Sequence, residues 1–224
     1  MWGKTVSREV RLHWADKRDN FGDILTPHLL RHYLHMRVTW AAPDTADVYG
    51  IGSIIERMPP VYSGIIVGTG RMFEATPMPD LSGARILGLR GRLTAGNLHV
   101  PLFDLGVLAH LFCGVHQKRH ALGVVPWYRD RALREAYPYA HYIDIQGGVP
   151  YVVNEIAKCR AIVTSSLHAM IAAHSLGVAC TLELQPEYER THWFKFEDYK
   201  SAGSVRGQQR RALQALHELR RLYR

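Results

Sequence analysis

Cys159-Arg160-Ala161-Ile162-Val163-Thr164-Ser165-Ser166-Leu167-His168-Ala169 is an apolar, β-branched run that stops at two serines and passes straight into a helical pattern. Residues 169–176 continue that pattern with almost no charge, so the stretch reads as a buried strand, a tight turn and a buried helix. Ser165 or Ser166 is a natural N-cap, because its hydroxyl can accept a hydrogen bond from a first-turn amide that has no partner within the helix. The remaining free amides and the positive end of the helix dipole favour an anion, and a histidine in the first turn faces the same spot. A capped helix with a merely hydrogen-bonded histidine would use the same residues, so the stretch decides the fold before it decides the function.

Working outward, the first half of the chain repeats this strand-to-helix rhythm. Strands are predicted over 10–14, 48–51, 64–67 and 85–89, with a helix from about Asp23 to Leu34 that places Pro27 in its first turn, where a missing amide is tolerated. A second unit holds a strand near 121–125, a strongly helical stretch at 149–158, and a region at 163–184 that completes it with strand, helix and strand. Alternation of this kind predicts parallel sheets, whose strands share one C-terminal edge where ligands bind. The polar stretch 113–120 serves as a linker, which divides the chain into 1–112, 113–204 and a terminal helix at 205–224 that returns to the first half.

The 224 residues suffice for one large domain or two small ones, and the formal charge of +8 favours acidic partners. In the terminal segment Arg206, Arg210, Arg211, Arg220, Arg221 and Arg224 meet one acid, Glu218, while Ala212, Ala215, Leu216, Leu219 and Leu222 form an apolar stripe. This is a basic amphipathic helix, suited to packing on the body and to peripheral contact with the inner face of a membrane. Nucleic acid is not expected, because no binding module or aromatic-interleaved basic motif is present. No apolar run approaches a membrane span and the first nine residues lack the apolar core of a secretion signal, so a cytoplasmic protein is expected. The cysteines Cys113, Cys159 and Cys180 are isolated, which suits buried thiols rather than disulfides or zinc.

Candidate chemistry collects at the predicted strand ends. Asn20-Phe21-Gly22-Asp23 makes a tight turn whose aspartate can cap the helix or face a ligand. Gly50-Ile51-Gly52-Ser53 and Gly68-Thr69-Gly70-Arg71 would let a substrate approach the backbone, although neither completes a dinucleotide fingerprint. Arg71, Arg90 and Arg92 add guanidinium forks suited to phosphate and carboxylate. His28, His32 and His35 share a helix face, yet three side chains along one helix rarely converge on a metal, and no metal site is expected.

Taken in order, Asn20-Phe21-Gly22-Asp23, Gly50-Ile51-Gly52-Ser53, Gly68-Thr69-Gly70, Leu89-Arg90-Gly91 and Ser165-Ser166-Leu167-His168-Ala169 resemble the polysaccharide pyruvyl transferase family, and 194–199 resembles a segment of its exopolysaccharide members. The resemblance implies an α/β, GT-B-like fold with two Rossmann-like domains facing a central cleft. It implies phosphoenolpyruvate as donor, a sugar hydroxyl pair as acceptor, lipid-linked or not, and a cyclic pyruvate ketal as product, with no cofactor beyond the co-substrate. His168 matches the histidine at the reaction centre and Arg90 the arginine that holds the donor. Lys195 matches a late basic residue, and Asp23 or Asp104 is the candidate base. Asn20, Gly22, Gly52, Ser53, Gly70, Arg71, Arg92, Ser165 and Ser166 complete the expected binding set. The chain departs from the family at Phe103-Asp104-Leu105 and Pro126-Trp127-Tyr128. Two other readings use the same residues: a nucleotide-sugar glycosyltransferase with Glu183 or Glu187 on a ribose, and a non-catalytic protein that binds glycan or membrane.

Overall fold

The computed structural model describes residues 9–15 and 20–224; the segment 1–8, on which most of the reading about a secretion signal rests, lies outside the described residues. Two parallel sheets organise the chain. The first contains β1 (Val10–His13), β2 (Val38–Trp40), β3 (Val48–Tyr49), β4 (Ile65–Thr69) and β5 (Arg85–Leu89) in the order β2-β1-β3-β4-β5. The second contains β6 (His120–Val125), β7 (His141–Tyr142), β8 (Cys159–Thr164) and β9 (Ala179–Leu182) in the order β7-β6-β8-β9.

Helix α1 (Phe21–His28) begins where Asn20 Oδ1 accepts the Gly22 amide at 3.1 Å. It starts two residues earlier than the predicted helix, so Pro27 falls in its interior rather than its first turn. Pro27 has no amide to return to the Asp23 carbonyl. The helix runs on as a wider π-helical turn at Leu29–Tyr33. Four-residue α2 (Arg92–Ala95) and a 3-10 segment at Leu105–Phe112 follow the first sheet. Helices α3 (Arg131–Ala136), α4 (Val149–Ala157) and α5 (Leu167–Leu176) belong to the second sheet, before α6 (Pro186–Lys200) and α7 (Val205–Leu222) close the chain.

An uninterrupted apolar core runs from Leu12 and Phe21 through Leu108 and Val153 to Ile171 and Leu216, so both sheets share buried surface. Helix α1 packs on α4 and α5. Helix α7 lies against β4, β5 and the 3-10 segment, burying Ala212, Ala215, Leu216 and Leu219, and Arg85 pairs with Glu218 at 2.6 Å. No helix among the described residues is long and apolar enough to cross a membrane.

Candidate functional site

Strand β8 ends at Thr164, whose hydroxyl donates to the Val125 carbonyl at 2.5 Å and accepts the Ser166 amide at 3.0 Å. Those two hydrogen bonds tie the turn to β6 and leave the Ser166 side chain as the N-cap of α5. His168 therefore sits in the first turn of α5, and its ring lies against α1. A Cβ placed on Gly22 would stand 1.8 Å from His168 Nδ1, so only glycine at this position lets the imidazole approach the helix start.

The two helix starts frame a cavity of about 190 Å³ lined by Asn20, Asp23, Ser53, Arg57, His168 and Lys195, with Trp127, Tyr128, Met72 and His192 at its sides. Its residues come from the C-terminal ends of strands in both sheets and from α6. Burial raises the Asp23 carboxyl to about 6, against the opposing pull of Arg57 and Lys195. Burial lowers the Lys195 ammonium to about 8, with Arg90 acting in the same direction and Asp23 opposing. Burial, then Lys195 and Arg90, push His168 down to about 3, so the imidazole is neutral near pH 7 in the ligand-free pocket. Its Nε2 is buried and has no hydrogen-bond partner. A buried polar atom left unpaired costs about 1–3 kcal/mol, a penalty a ligand group can relieve.

Behind this surface stands a different arrangement. Arg90 is fully buried, with Nε donating to Asp198 Oδ2 at 2.9 Å, one terminal nitrogen donating to Ser53 Oγ at 2.5 Å and the other to the Arg71 carbonyl. Asp198 also accepts the Thr94 amide at 2.8 Å and the Thr94 hydroxyl at 2.6 Å. Gly70 and Gly91 make room for this pair: a Cβ at Gly70 would fall 2.4 Å from Arg90 Cζ, and one at Gly91 would fall 1.7 Å from the Asp198 carbonyl oxygen.

The structure thus brings Asn20, Asp23, Ser53, Ser166, His168 and Lys195 to one pocket. Gly22 and Gly52 shape it from the backbone, the latter close to Asp23. Arg90 lies one layer behind, reaching the pocket through Ser53. The Arg71 guanidinium donates to the carbonyls of Glu74, Thr76 and Leu93 and stacks over Phe194, outside the lining. Arg92 borders a separate surface hollow formed with residues 95–102. Ser165 Oγ accepts the Trp127 amide at 3.0 Å and so positions the aromatic side of the pocket. Of the two aspartates considered as base, Asp23 lines the cavity. Asp104 is fully buried elsewhere, where it caps the 3-10 segment by accepting the Gly106 amide at 2.7 Å. The rings of His28 and His32 lie 4.2 Å apart and His28 packs edge-on against Phe112.

Arg57 and His192 were not singled out in the sequence. Arg57 follows the Gly52-Ser53 turn in a 3-10 helix at Ile55–Arg57, and a cation so soon after a strand-end glycine was the available signal. His192 sits one turn before Lys195 on α6, a helix obscured by the alternating Phe194-Lys195-Phe196.

Two parallel sheets, with a pocket lined by Arg57 and Lys195 at their strand ends, define an α/β protein. The model of the polysaccharide pyruvyl transferase family matches residues 110–182, the segment that carries Trp127, Ser165, Ser166 and His168, and it supports the family suggested by the motifs. An uncharacterized protein of Acanthamoeba polyphaga mimivirus is 24% identical over 230 residues, spanning 90% of this chain and 77% of the viral protein.

Proposed function

We propose that this protein transfers pyruvate from phosphoenolpyruvate to a hydroxyl pair of a sugar in a glycan or glycolipid, closing a cyclic pyruvate ketal. The observation that carries the reading is the neutral, buried His168 with its unpartnered Nε2, set beside Asp23 and Lys195 in a small cationic cavity. The match of the family model to the segment holding His168 supports the same reading.

The donor's phosphate and carboxylate would meet Lys195, Arg57 and the amides at the start of α5, with Arg90 contributing from behind Ser53. That added negative charge works against the burial and the cations that together hold His168 neutral, and raises its affinity for a proton. His168 then delivers a proton to the methylene carbon of the donor, which makes the adjacent carbon electrophilic. The first sugar hydroxyl adds to that carbon and loses its proton to Asp23. The carbon–oxygen bond to phosphate breaks, the second hydroxyl closes the ring, and its proton leaves with inorganic phosphate. The donor supplies both electrophile and leaving group, so this scheme calls on no metal or organic cofactor.

The wider reading takes 1–112 and 113–204 as Rossmann-like lobes in a GT-B-like arrangement, in a cytoplasmic protein whose exposed arginines on α7 would touch a membrane carrying the acceptor. Trp127, Tyr128 and His192 form the face for that acceptor. A nucleotide-sugar donor fits less well. The cavity of about 190 Å³ is below the usual range for larger ligands, and of the two candidate ribose partners, Glu183 and Glu187, neither lines it, Glu183 accepting from the Tyr137 hydroxyl at 2.7 Å.

The test is to incubate the purified protein with phosphoenolpyruvate and a panel of galactosides, glucosides and mannosides, following phosphate release and product mass. Acceptor-dependent phosphate release with a pyruvate ketal product, lost in His168→Ala, is the expected result. Donor binding without turnover on any acceptor would overturn the catalytic reading, and turnover with a nucleotide sugar instead would overturn the choice of donor.

A further inference from the structure

The opposite edge of the second sheet carries a cluster that the pocket does not use. His120 opens β6, His141 opens the neighbouring β7, and Glu155 reaches over from the last turn of α4. The two imidazoles are stacked at 3.8 Å between centroids and 2° between planes. His141 Nε2 lies 2.8 Å from Glu155 Oε2, while the other carboxylate oxygen pairs with Lys158. One potential ligand atom from each of His120, His141 and Glu155 lies within 4.8 Å of the other two.

We propose that His120, His141 and Glu155 form a binding site for a divalent transition metal of the zinc class. Two imidazole nitrogens and one carboxylate oxygen are a zinc donor set, with the fourth, open position left to water. Zinc bonds of about 2.0–2.1 Å place tetrahedral donors roughly 3.3 Å apart, so the His141–Glu155 pair, now at 2.8 Å, has to open slightly while His120 adjusts to meet it. They have freedom to do so, because His141 and Glu155 are only partly buried, with side-chain exposures of 26% and 15%. The metal takes the place of the proton now shared between His141 Nε2 and Glu155, and it displaces the Lys158 ammonium from the carboxylate.

The site stands apart from the pocket. Trp127 and Ser166 follow the C-terminal ends of β6 and β8 and line the pocket, whereas His120 and His141 stand at the N-terminal ends of their strands. Strand β7 is two residues long and pairs with β6 alone in its sheet. A bound ion would clamp that short edge strand to β6 and α4.

Untagged protein, stripped with chelator, should be titrated with zinc sulfate by calorimetry at pH 7, with a thermal melt in parallel. The expected result is one high-affinity equivalent and a rise of several degrees in Tm at saturation, since a ligand that binds only the folded state stabilises it by mass action. His141→Ala and Glu155→Gln should each weaken that equivalent by at least tenfold, and magnesium should not compete, because imidazole disfavours it. Lys158→Ala should tighten zinc binding by removing the competing ammonium, an effect that a purely structural ion pair would not produce. Absence of the high-affinity equivalent in the wild type, full affinity in Glu155→Gln, or weaker binding in Lys158→Ala would each overturn the proposal.

Discussion

The pocket wall and the layer behind it are both built from buried charge, and they are organised in opposite ways. Behind the wall, Arg90 and Asp198 have side chains wholly shielded from solvent, and Thr94, Ser53 and the Arg71 carbonyl complete their hydrogen bonding. At the wall, Asp23, His168 and Lys195 are all displaced from their ordinary protonation ranges, and His168 Nε2 has no partner. A satisfied network holds structure together, whereas an unsatisfied one stores desolvation cost that a ligand can recover. Arg90 thus belongs to the satisfied structural layer, and Asp23, His168 and Lys195 to the face left open to a ligand.

The largest expected effect breaks the reactive side. His168→Ala should lower kcat/KM for phosphoenolpyruvate by about 10²–10⁴-fold, the usual worth of a positioned proton donor, with little change in Tm. A fall of less than tenfold in a steady-state assay would move the proton transfer to another group.

The structural side should respond in the reverse sense. Asp198→Ala leaves the Arg90 charge buried without its counter-ion and should cost about 3–5 kcal/mol of stability in denaturant unfolding. Unchanged stability would mean that solvent or another acceptor reaches Arg90, and the contrast between the two layers would fail.

The smallest and most discriminating effect concerns pH. A base at Asp23 must be ionised and a donor-binding ammonium at Lys195 must be protonated. Activity should therefore rise as pH climbs through about 6 and fall as it passes about 8. Lys195→Met should abolish the alkaline limb. It should also move the acid limb upward, because Lys195 helps to keep the Asp23 carboxyl from rising further. Donor affinity should drop about ten- to hundredfold, as for a lost charged hydrogen bond. An unchanged profile would detach both groups from the reaction.

Several elements were legible because local patterns and tertiary packing agree. The run 159–164 is a strand and Ser166 caps α5, each for the residue-level reason that suggested it, whereas α1 is capped by Asn20 and not by Asp23, the residue the turn offered for that role. Strand β2 and helix α6 were not. The three residues of β2 are too few to show a period, and Phe194-Lys195-Phe196 alternates like a strand although it lies in a helix. Arg57 carried only the weak signal of a cation soon after a strand-end glycine, and only the fold sets it beside Asp23.

The sequence by itself determined the alternation of strands and helices, the two capped turns and the presence of a histidine at a helix start. Those properties depend on backbone geometry and on neighbours a few residues away. Which cations face the pocket was decided only by tertiary structure. Arg90 and Asp198 are 108 residues apart, and their mutual burial withdraws that guanidinium from the pocket surface while leaving Lys195, three positions before Asp198, exposed to it. Charge type is written in the chain, but solvent access and pairing, which set what a charge can do, arise only when distant segments pack.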